Sequence, residues 1–429
     1  MSVRFKPYPR YKDSGAEWLG EIPEKWNVKR LKFCASVRFS SVDKHTLAGE
    51  EPVRLCNYTD VYYNDRITAD SEFMSATASR EEIERFSIEP DDVLITKDSE
   101  TWDDIAVAAH VPRKIDNLLC GYHLALVRPN KRLMDGEYLA RAFSARGIND
   151  QFRVAATGIT RFGVGNSDIG DALFLLPSRD EQRAIAEFLD RETAKIDNLI
   201  AKKERLLELL EEKRAALITH AVTCGLDPDA PLRDSGIEWL GQIPKHWEVR
   251  RLRFISRIET GSKNTEDATN DGKYPFFVRA QTVEHISSYA FDCEAVLTAG
   301  DGVGVGKVFH HYTGKFDVHQ RVYALTDFRD VLGRFLFLYM RELFYRVALG
   351  GDAKSTVDSL RRHNFTDLAI AFPSAIEQQA IVDYCDGISD RVSGLATAVS
   401  TAISHLKEYR GALITAAVTG KIDVREKTK

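Results

Sequence analysis

The sequence predicts a mixed α/β protein with a pseudo-twofold internal repeat, in which two globular domains are joined by a long antiparallel two-helix coiled coil. Three observations support this fold class. An opening segment occurs twice, a closing segment with a helical pattern occurs twice, and strand-like stretches fill the two divergent bodies between them. The predicted boundaries are residues 1–176 and 226–372 for the globular domains, 177–225 and 373–420 for the helices, and 421–429 for a tail.

The repeated opening segment comprises residues 13–33 and 234–254. The two sequences are DSGAEWLGEIPEKWNVKRLKF and DSGIEWLGQIPKHWEVRRLRF, and 14 of the 21 positions are identical. Glycine and proline break any helix, and the spaced tryptophans predict an irregular segment that aromatic burial holds on its domain. VKRLKF and VRRLRF alternate apolar and basic residues, which predicts a short strand with the basic side chains outside.

The repeated closing segment comprises residues 177–227 and 373–423. Apolar residues at spacings of three and four predict a helix of about 45 residues, roughly 65 Å long, in each copy. The serine of each Pro-Ser pair is the expected N-cap, and Gly225 and Gly420 are expected to end the helices. Matching apolar seams predict an antiparallel pair, and packing of each helix on its own domain is the alternative. The predicted seam comprises Leu189, Ile196, Leu199, Leu206, Leu210 and Leu217 in the first helix, and Ile381, Cys385, Ile388, Val392, Leu395, Val399, Ala402, Leu406, Tyr409 and Leu413 in the second.

The divergent bodies, residues 34–172 and 255–367, follow one order of elements. Strands are predicted over 53–63, 91–98, 105–111 and 122–129 in the first body, with helical spacing over 137–154. In the second body strands are predicted over 274–280, 295–312 and 317–326, and a helix over 331–347. Each body is therefore expected to form a twisted sheet with flanking helices.

Charge and cysteine usage narrow the function classes. The net charge is −5, and the first body has 16 Lys and Arg against 23 Asp and Glu, so any DNA-binding surface must be a local patch or must be shared with a partner. The six cysteines are scattered without a CxxC pair, which predicts a reduced, cytoplasmic compartment without a zinc site. No apolar run is long enough to predict a signal peptide or a membrane span.

Catalytic motifs are absent from the sequence. It contains no GxxxxGK[ST] phosphate loop and no Asn-Pro-Pro-aromatic methyltransferase tetrapeptide. GVGVG at 302–306 lacks dinucleotide-binding spacing and predicts a β-hairpin, and His310-His311 predicts a strand surface rather than a metal site. We therefore expect a chain that is not an enzyme by itself and binds no metal.

The tandem DSGxEWLGxIPxxW segments, the PSxxEQxxI helix starts and the long helices ending in ALITxAVTxxxD resemble the DNA-specificity subunit of type I restriction–modification systems. The resemblance covers nearly the whole chain. It implies two target-recognition domains, each recognising one half of a bipartite double-stranded DNA site, with the coiled coil setting the spacer. It further implies two methyltransferase subunits and two restriction–translocase subunits as partners, which would bind S-adenosylmethionine, ATP and magnesium.

The resemblance directs attention to basic and polar residues near the end of each body and at predicted strand ends. In both bodies this region is locally basic, and arginine can pair with guanine or with phosphates. The candidate DNA-binding residues are Lys97, His123, Arg128, Arg141, Arg146, Arg153, Thr157, Thr160 and Arg161 in the first body, and Lys307, His319, Gln320, Arg321, Arg341, Arg346, Lys354, Ser355, Thr356 and Arg361 in the second.

Candidate partner-binding residues lie in the repeated segments. They are Trp18, Trp26, Trp239, Trp247, Leu199, Leu206, Leu395 and Leu406. Burial of the tryptophans in their own domain is the alternative to a partner contact. Three other functions stay open from the sequence: an S-like partner of a fused restriction–methyltransferase enzyme, a coiled-coil scaffold without DNA binding, and a stand-alone nuclease.

Overall fold

The computed structural model describes residues 5–348 and 360–425, and the described residues fall into two compact units. Unit 1 lies before residue 204 and after residue 400, and unit 2 comprises residues 204–400. Each unit therefore contains one globular body and parts of both closing segments. Among the described residues no helix is both long and apolar enough to cross a membrane.

The first repeat contains short strands, short helices and one long closing helix. Its strands are β1 Tyr11–Asp13, β2 Glu21–Pro23, β3 Asn27–Arg30, β4 Ala35–Phe39, β5 Glu51–Cys56, β6 Met74–Ala78, β7 Val93–Thr96, β8 Asp98–Ser99, β9 Ala108–His110, β10 Leu118–Cys120, β11 Leu124–Pro129, β12 Thr157–Gly158, β13 Phe162–Gly163 and β14 Leu173–Leu176. Its helices are α1 Tyr58–Tyr62, α2 Arg80–Phe86, α3 Gly136–Phe143, α4 Arg146–Ala155, α5 Asn166–Asp171 and α6 Arg179–Cys224.

The second repeat follows the same plan with longer central strands. Its strands are β15 Leu232–Asp234, β16 Gln242–Pro244, β17 Glu248–Arg251, β18 Arg257–Thr260, β19 Tyr274–Phe277, β20 Glu284–Ile286, β21 Phe291–Ala299, β22 Phe309–Val318, β23 Val322–Thr326 and β24 Ala369–Phe372. Its helices are α7 Leu252–Ile255, α8 Gly333–Ala348, α9 Arg362–Thr366 and α10 Ala375–Val418.

Each body contains its own sheet, and the two sheets share an order of four strands although the sequences of the bodies differ. Strands are ordered β4-β11-β7-β9 in the first body, and the second body contains the matching order β18-β23-β21-β22. In both bodies the two middle strands of this order are mostly buried, β11 and β7 in the first and β23 and the second half of β21 in the second, which fits their apolar sequences. The predicted hairpin around GVGVG is confirmed, because β21 and β22 pair antiparallel on either side of it.

Two predicted elements of the first body differ from the structure. The strand predicted over 53–63 ends at Cys56, because Asn57 and Asp60 form a capping box that starts α1. The helix predicted over 137–154 is two helices, α3 and α4, separated at residues 144–145. In both places local hydrogen bonding interrupts an apolar pattern that continues along the sequence.

The closing helices match their predicted length and ends. Helix α6 has 46 residues and α10 has 44. The Ser178 hydroxyl accepts a hydrogen bond from the Glu181 amide at 3.4 Å, as an N-cap does. Gly225 and Gly420 follow the helices at φ of +78° and +70°, a left-handed conformation that only glycine adopts without strain.

Each body packs against the end of the other repeat's helix as well as the start of its own. In unit 2, Ile218 and Val222 of α6 join the core of the second body, together with Ile381 of α10. In unit 1, Ile414 and Val418 of α10 are buried as well. The alternative in which each helix packs only on its own domain is therefore wrong.

The apolar seam is displaced by one residue at several predicted positions. Leu199, Leu206 and Leu395 were assigned to the seam but are 43%, 42% and 54% exposed. Ile200 is buried instead of its neighbour Leu199, and Ala396 is less exposed than Leu395. A regular heptad of 3.5 residues per turn drifts relative to a straight helix of 3.6, which explains such slips in a long pattern.

Replacing Arg410 of α10 with alanine is expected to destabilise unit 1 by about 1–3 kcal/mol, because charged hydrogen bonds in a partly buried site are lost. Its guanidinium donates to Asp65 at 2.5 Å and to Asp197 at 2.9 Å, while Asp65 also accepts from Arg141 at 2.7 Å. Urea denaturation measures the change. Arg205→Ala is the matched control. In the part of the chain that the structure describes, Arg205 pairs with exposed glutamates along α6 alone, so its loss should leave the urea midpoint unchanged. Equal effects of the two substitutions on the urea midpoint would show that the hydrogen bonds of Arg410 do not stabilise unit 1.

Candidate functional site

The matching sheets place a small charged cluster at the same edge of each body. In the first body Thr96 of β7 pairs with Leu124 of β11, and in the second Ala299 of β21 pairs with Val322 of β23. An aspartate lies two residues beyond the first strand of each pair, and a basic residue immediately precedes the second. The first strand-end cluster comprises Lys97, Asp98, His123 and Arg161, and the second comprises Arg279, Asp301, His319 and Arg321.

Asp98 organises the first strand-end cluster. Its carboxylate lies 3.0 Å from Nδ1 of His123 and accepts a hydrogen bond from Nε of Arg161 at 2.7 Å. Arg161 reaches this position because β13, which begins at the next residue, pairs antiparallel with β8. Three separate stretches of the sequence are thereby brought to one edge of the sheet.

Lys97 adds a second cation to this edge. Its ammonium lies 4.5 Å from the centre of the Tyr122 ring and 5.1 Å from that of Phe39, distances typical of cation–π contacts. Burial lowers the pKa of Lys97, and the charge of Asp98 opposes this effect. The Tyr122 ring is 52% exposed, so the edge also presents an aromatic face to solvent.

Asp301 organises the second strand-end cluster. Its carboxylate accepts a hydrogen bond from Arg279 at 3.1 Å and another from Arg321. Burial by itself would raise the pKa of Asp301, but the hydrogen bonds from Arg321 and Arg279 bring the pKa below its ordinary value of 3.8. His319 is buried, and burial together with the nearby arginines lowers its pKa, which favours the neutral imidazole.

Each cluster holds an arginine in a defined orientation while leaving much of it in contact with solvent. The side chains of Arg161 and Arg321 are 49% and 59% exposed, whereas those of Asp98 and Asp301 are 17% and 8% exposed. A guanidinium has five N–H donors in a rigid plane, so donors remain free after the aspartate is bound. Such an arginine can bind a guanine edge or a phosphate through two parallel hydrogen bonds.

Several other predicted DNA-binding residues lie beside the clusters. Thr157 and Thr160 belong to the β12–β13 hairpin that carries Arg161, and Ile159 at its tip is 95% exposed. Gln320 lies between His319 and Arg321, and Lys307 is exposed in the turn before β22. Arg361 is exposed next to Leu360, whose amide donates to the Gly300 carbonyl at 2.7 Å.

Three predicted arginines are engaged inside the protein, and we do not retain them as DNA-binding candidates. Arg128 donates to Asp92, Glu89 and the Ser87 carbonyl. The Arg141 side chain is 11% exposed and binds Asp65 and Asp190. Arg341 pairs with the buried Glu342 and lies over the Phe337 ring. These three guanidinium groups are bound by carboxylates or lie over an aromatic ring of the protein itself, so they are not presented to DNA.

The remaining predicted residues lie on α4 or outside the described part of the chain. The Arg146 side chain is 84% exposed and that of Arg153 is 37% exposed, and both pair with Asp150. No described contact joins them to the first strand-end cluster. Lys354, Ser355, Thr356 and the side chain of Arg346 lie outside the described residues.

The tryptophans divide into two pairs. Trp26 and Trp247 are each 1% exposed, so direct partner contact through them is not retained. Trp18 is 56% exposed, and Trp239 is partly buried against Tyr339. On the helices, Leu199, Leu206 and Leu395 are exposed and Leu406 is partly buried.

Sequence reasoning missed Arg279 and the organising role of the two aspartates. A signal was present, because Asp98 and Asp301 each come two residues after an apolar stretch that forms a strand, and residues at strand ends converge on one edge of a sheet. Arg279 follows β19, whose parallel pairing with β22 no sequence pattern indicated. Among the described residues, no group of histidine, cysteine and acidic side chains could hold a metal ion.

Comparison with solved structures shows the fold. A structure from work on complex assembly and conformational transition of the type I R-M system has a TM-score of 0.73 at 18% identity, covering 94% of this chain and 99% of that one. The HsdS subunit from Thermoanaerobacter tengcongensis has a TM-score of 0.53 at 17% identity, covering 94% and 98% of the two chains.

Comparison of sequences finds one matching domain and several similar proteins. Residues 244–398 match the family model of the type I restriction modification DNA specificity domain. The EcoDI specificity subunit of Escherichia coli is 33% identical over 182 residues, 42% of this chain and 40% of that protein. The MjaIX specificity subunit of Methanocaldococcus jannaschii is 24% identical over 287 residues, 64% and 61% of the two chains. The chain thus spans less than two thirds of the length of these curated relatives, and over residues 244–398 it is similar to the DNA specificity domain of type I restriction–modification systems.

Proposed function

We propose that this chain is a non-catalytic, sequence-specific DNA-recognition subunit in which each body recognises one half of a bipartite site. The observation that carries the proposal is the pair of strand-end clusters. Both bodies place an aspartate-held, solvent-exposed arginine at the same sheet edge, although most of the sequence around each cluster differs. The two aspartates occupy equivalent positions, but Arg161 comes from a hairpin and Arg321 from the residue before β23, which suits two readers that share a docking geometry and differ in target.

The charge balance requires that partners contribute to DNA affinity. Phosphate contacts supply much of the binding free energy in protein–DNA complexes, and this chain is acidic overall. We propose that two methyltransferase subunits and two restriction–translocase subunits assemble on the chain and supply additional phosphate contacts. S-adenosylmethionine, ATP and magnesium would then be bound by those subunits. The closing helices would fix the length of the undefined spacer.

A methylome tests the function directly. The chain is co-expressed with the methyltransferase subunit of its own system in a host without DNA methylation, and modified adenines are mapped by single-molecule sequencing. We expect a split motif with two defined halves and a fixed spacer. Replacing residues 34–172 with the body of another specificity subunit should change one half only. A stable complex that modifies no adenine would contradict the proposal and favour a scaffold.

A further inference from the structure

A second surface is repeated at the level of individual contacts, on the side of each unit formed by the opening segment. We define the repeated face by Phe33, Arg30, Lys32 and Asp171 in unit 1, and by Phe254, Arg251, Arg253 and Asp367 in unit 2. The backbone register is the same in both copies, because β14 pairs with β3 as β24 pairs with β17. The face is therefore a structural duplicate.

The ion pairs of the repeated face are duplicated as well. Asp171 lies 3.1 Å from Arg30 and 2.6 Å from Lys32. In unit 2 the corresponding distances from Asp367 are 3.4 Å to Arg251 and 3.1 Å to Arg253. These side chains are 43% to 55% exposed, so the pairs add little to stability. Folding alone does not explain why both copies keep them.

Each copy of the repeated face also exposes a phenylalanine ring to solvent. Phe33 is 64% exposed and Phe254 is 59% exposed, with a cation from Lys32 or Arg253 beside each ring. A ring that stays this exposed gains little from folding, and two equivalent ones with equivalent charged neighbours fit a surface that a partner covers. In unit 2 an open groove of about 640 Å³ adjoins this face and is lined by Trp239, Ile237 and Asn364 as well as by Arg251 and Asp367.

We propose that the repeated face is the docking site for two copies of one folded protein, each offering an apolar pocket for the phenylalanine with carboxylates at its rim. Identical faces on a duplicated chain suit identical partners. Aromatic rings and arginines are also the residues that dominate protein–protein binding energy. DNA is the weaker reading of the same face, because a carboxylate lies between the two cations and would repel phosphates. The inference rests on the proposed function, in which that protein is the methyltransferase subunit.

The test measures how many methyltransferase subunits bind the full-length chain, by native mass spectrometry and by titration. Wild type should bind two. Phe33→Ala and Phe254→Ala should each weaken one binding event at least about tenfold, and the double variant should weaken both. Leu47→Ala and Tyr289→Ala are matched controls, because these residues are 59% and 44% exposed outside the repeated face. Circular dichroism confirms that each variant is folded.

The outcomes separate this inference from the proposed function. A wild-type chain that binds no methyltransferase subunit contradicts the proposed function and, with it, the identity of the partner. If wild type binds two subunits and the double variant binds both with unchanged affinity, the repeated face is not the docking site. If instead the double variant keeps its partners and the complex loses affinity for non-specific duplex DNA, the face binds the DNA backbone and the proposal is wrong.

Discussion

Arg161→Ala and Arg321→Ala are each expected to weaken binding to the specific duplex by about ten- to a hundredfold, the range for losing one bidentate base contact. The two effects should be confined to different halves of the site. Arg161 belongs to the first strand-end cluster and Arg321 to the second, so each variant should lose base preference in one half and keep it in the other. Selection from a randomised duplex library, with the assembled methyltransferase complex, measures both properties.

Two further variants separate base contacts from phosphate contacts and from general charge. Arg161→Lys keeps the charge but loses the planar fork, so it should not restore a bidentate base contact. If Arg161 binds a phosphate instead of a base, Arg161→Ala should weaken binding to all DNA sequences equally and reduce the salt dependence of the affinity. Arg132→Ala is the matched control. Arg132 is exposed and follows the end of β11, whereas the strand-end cluster lies at the start of β11, beside His123. Unchanged affinity in both alanine variants, with intact folds, would remove the clusters from the DNA interface.

The sequence predicts the length and the ends of the closing helices well, because the residues that set them act locally. The heptad spacing determines α6 and α10, and the glycines that end them adopt the expected left-handed conformation. The bodies were less predictable, since a charged side chain shows its partner only in three dimensions. Arg128 and Arg161 are both arginines in a locally basic stretch, yet one is bound by the buried Asp92 and the other remains half exposed on a hairpin.

The residues of the strand-end clusters were also predictable only in part. Lys97, His123 and Arg321 were identified as basic or polar residues at predicted strand ends, to which the family resemblance directed attention. Arg279 could not be found in this way, because its position depends on the parallel pairing of β19 with β22. The register of two strands that are distant in sequence depends on packing throughout the sheet, so no short segment predicts it.

Gln378→Leu is expected to destabilise unit 2 by about 2–5 kcal/mol, because a buried donor or acceptor that loses its partner costs about 1–3 kcal/mol. Gln378 is fully buried. Its amide oxygen accepts from the Leu332 amide at 2.7 Å, and its amide nitrogen donates to the carbonyls of Asp330 and Pro373 at 2.9 Å each. Leucine has a similar volume but satisfies none of these backbone groups. Hydrogen exchange localises the loss to unit 2, and urea denaturation gives its size.

The neighbouring residue provides the control, and the first repeat provides a second test. Gln379 is exposed and, among the described residues, bonds to Asp383 on its own helix alone, so Gln379→Leu should change stability very little. Gln182 is the equivalent of Gln378 and makes the same three contacts in unit 1, with Asp135, Leu133 and Pro177. Gln182→Leu should therefore destabilise unit 1 instead. If Gln378→Leu were no worse than Gln379→Leu, the repeated Glu-Gln pair would need another explanation. On the present contacts, its glutamine joins each closing helix to the loop in front of the body's main helix, which is a reason for both copies to keep it.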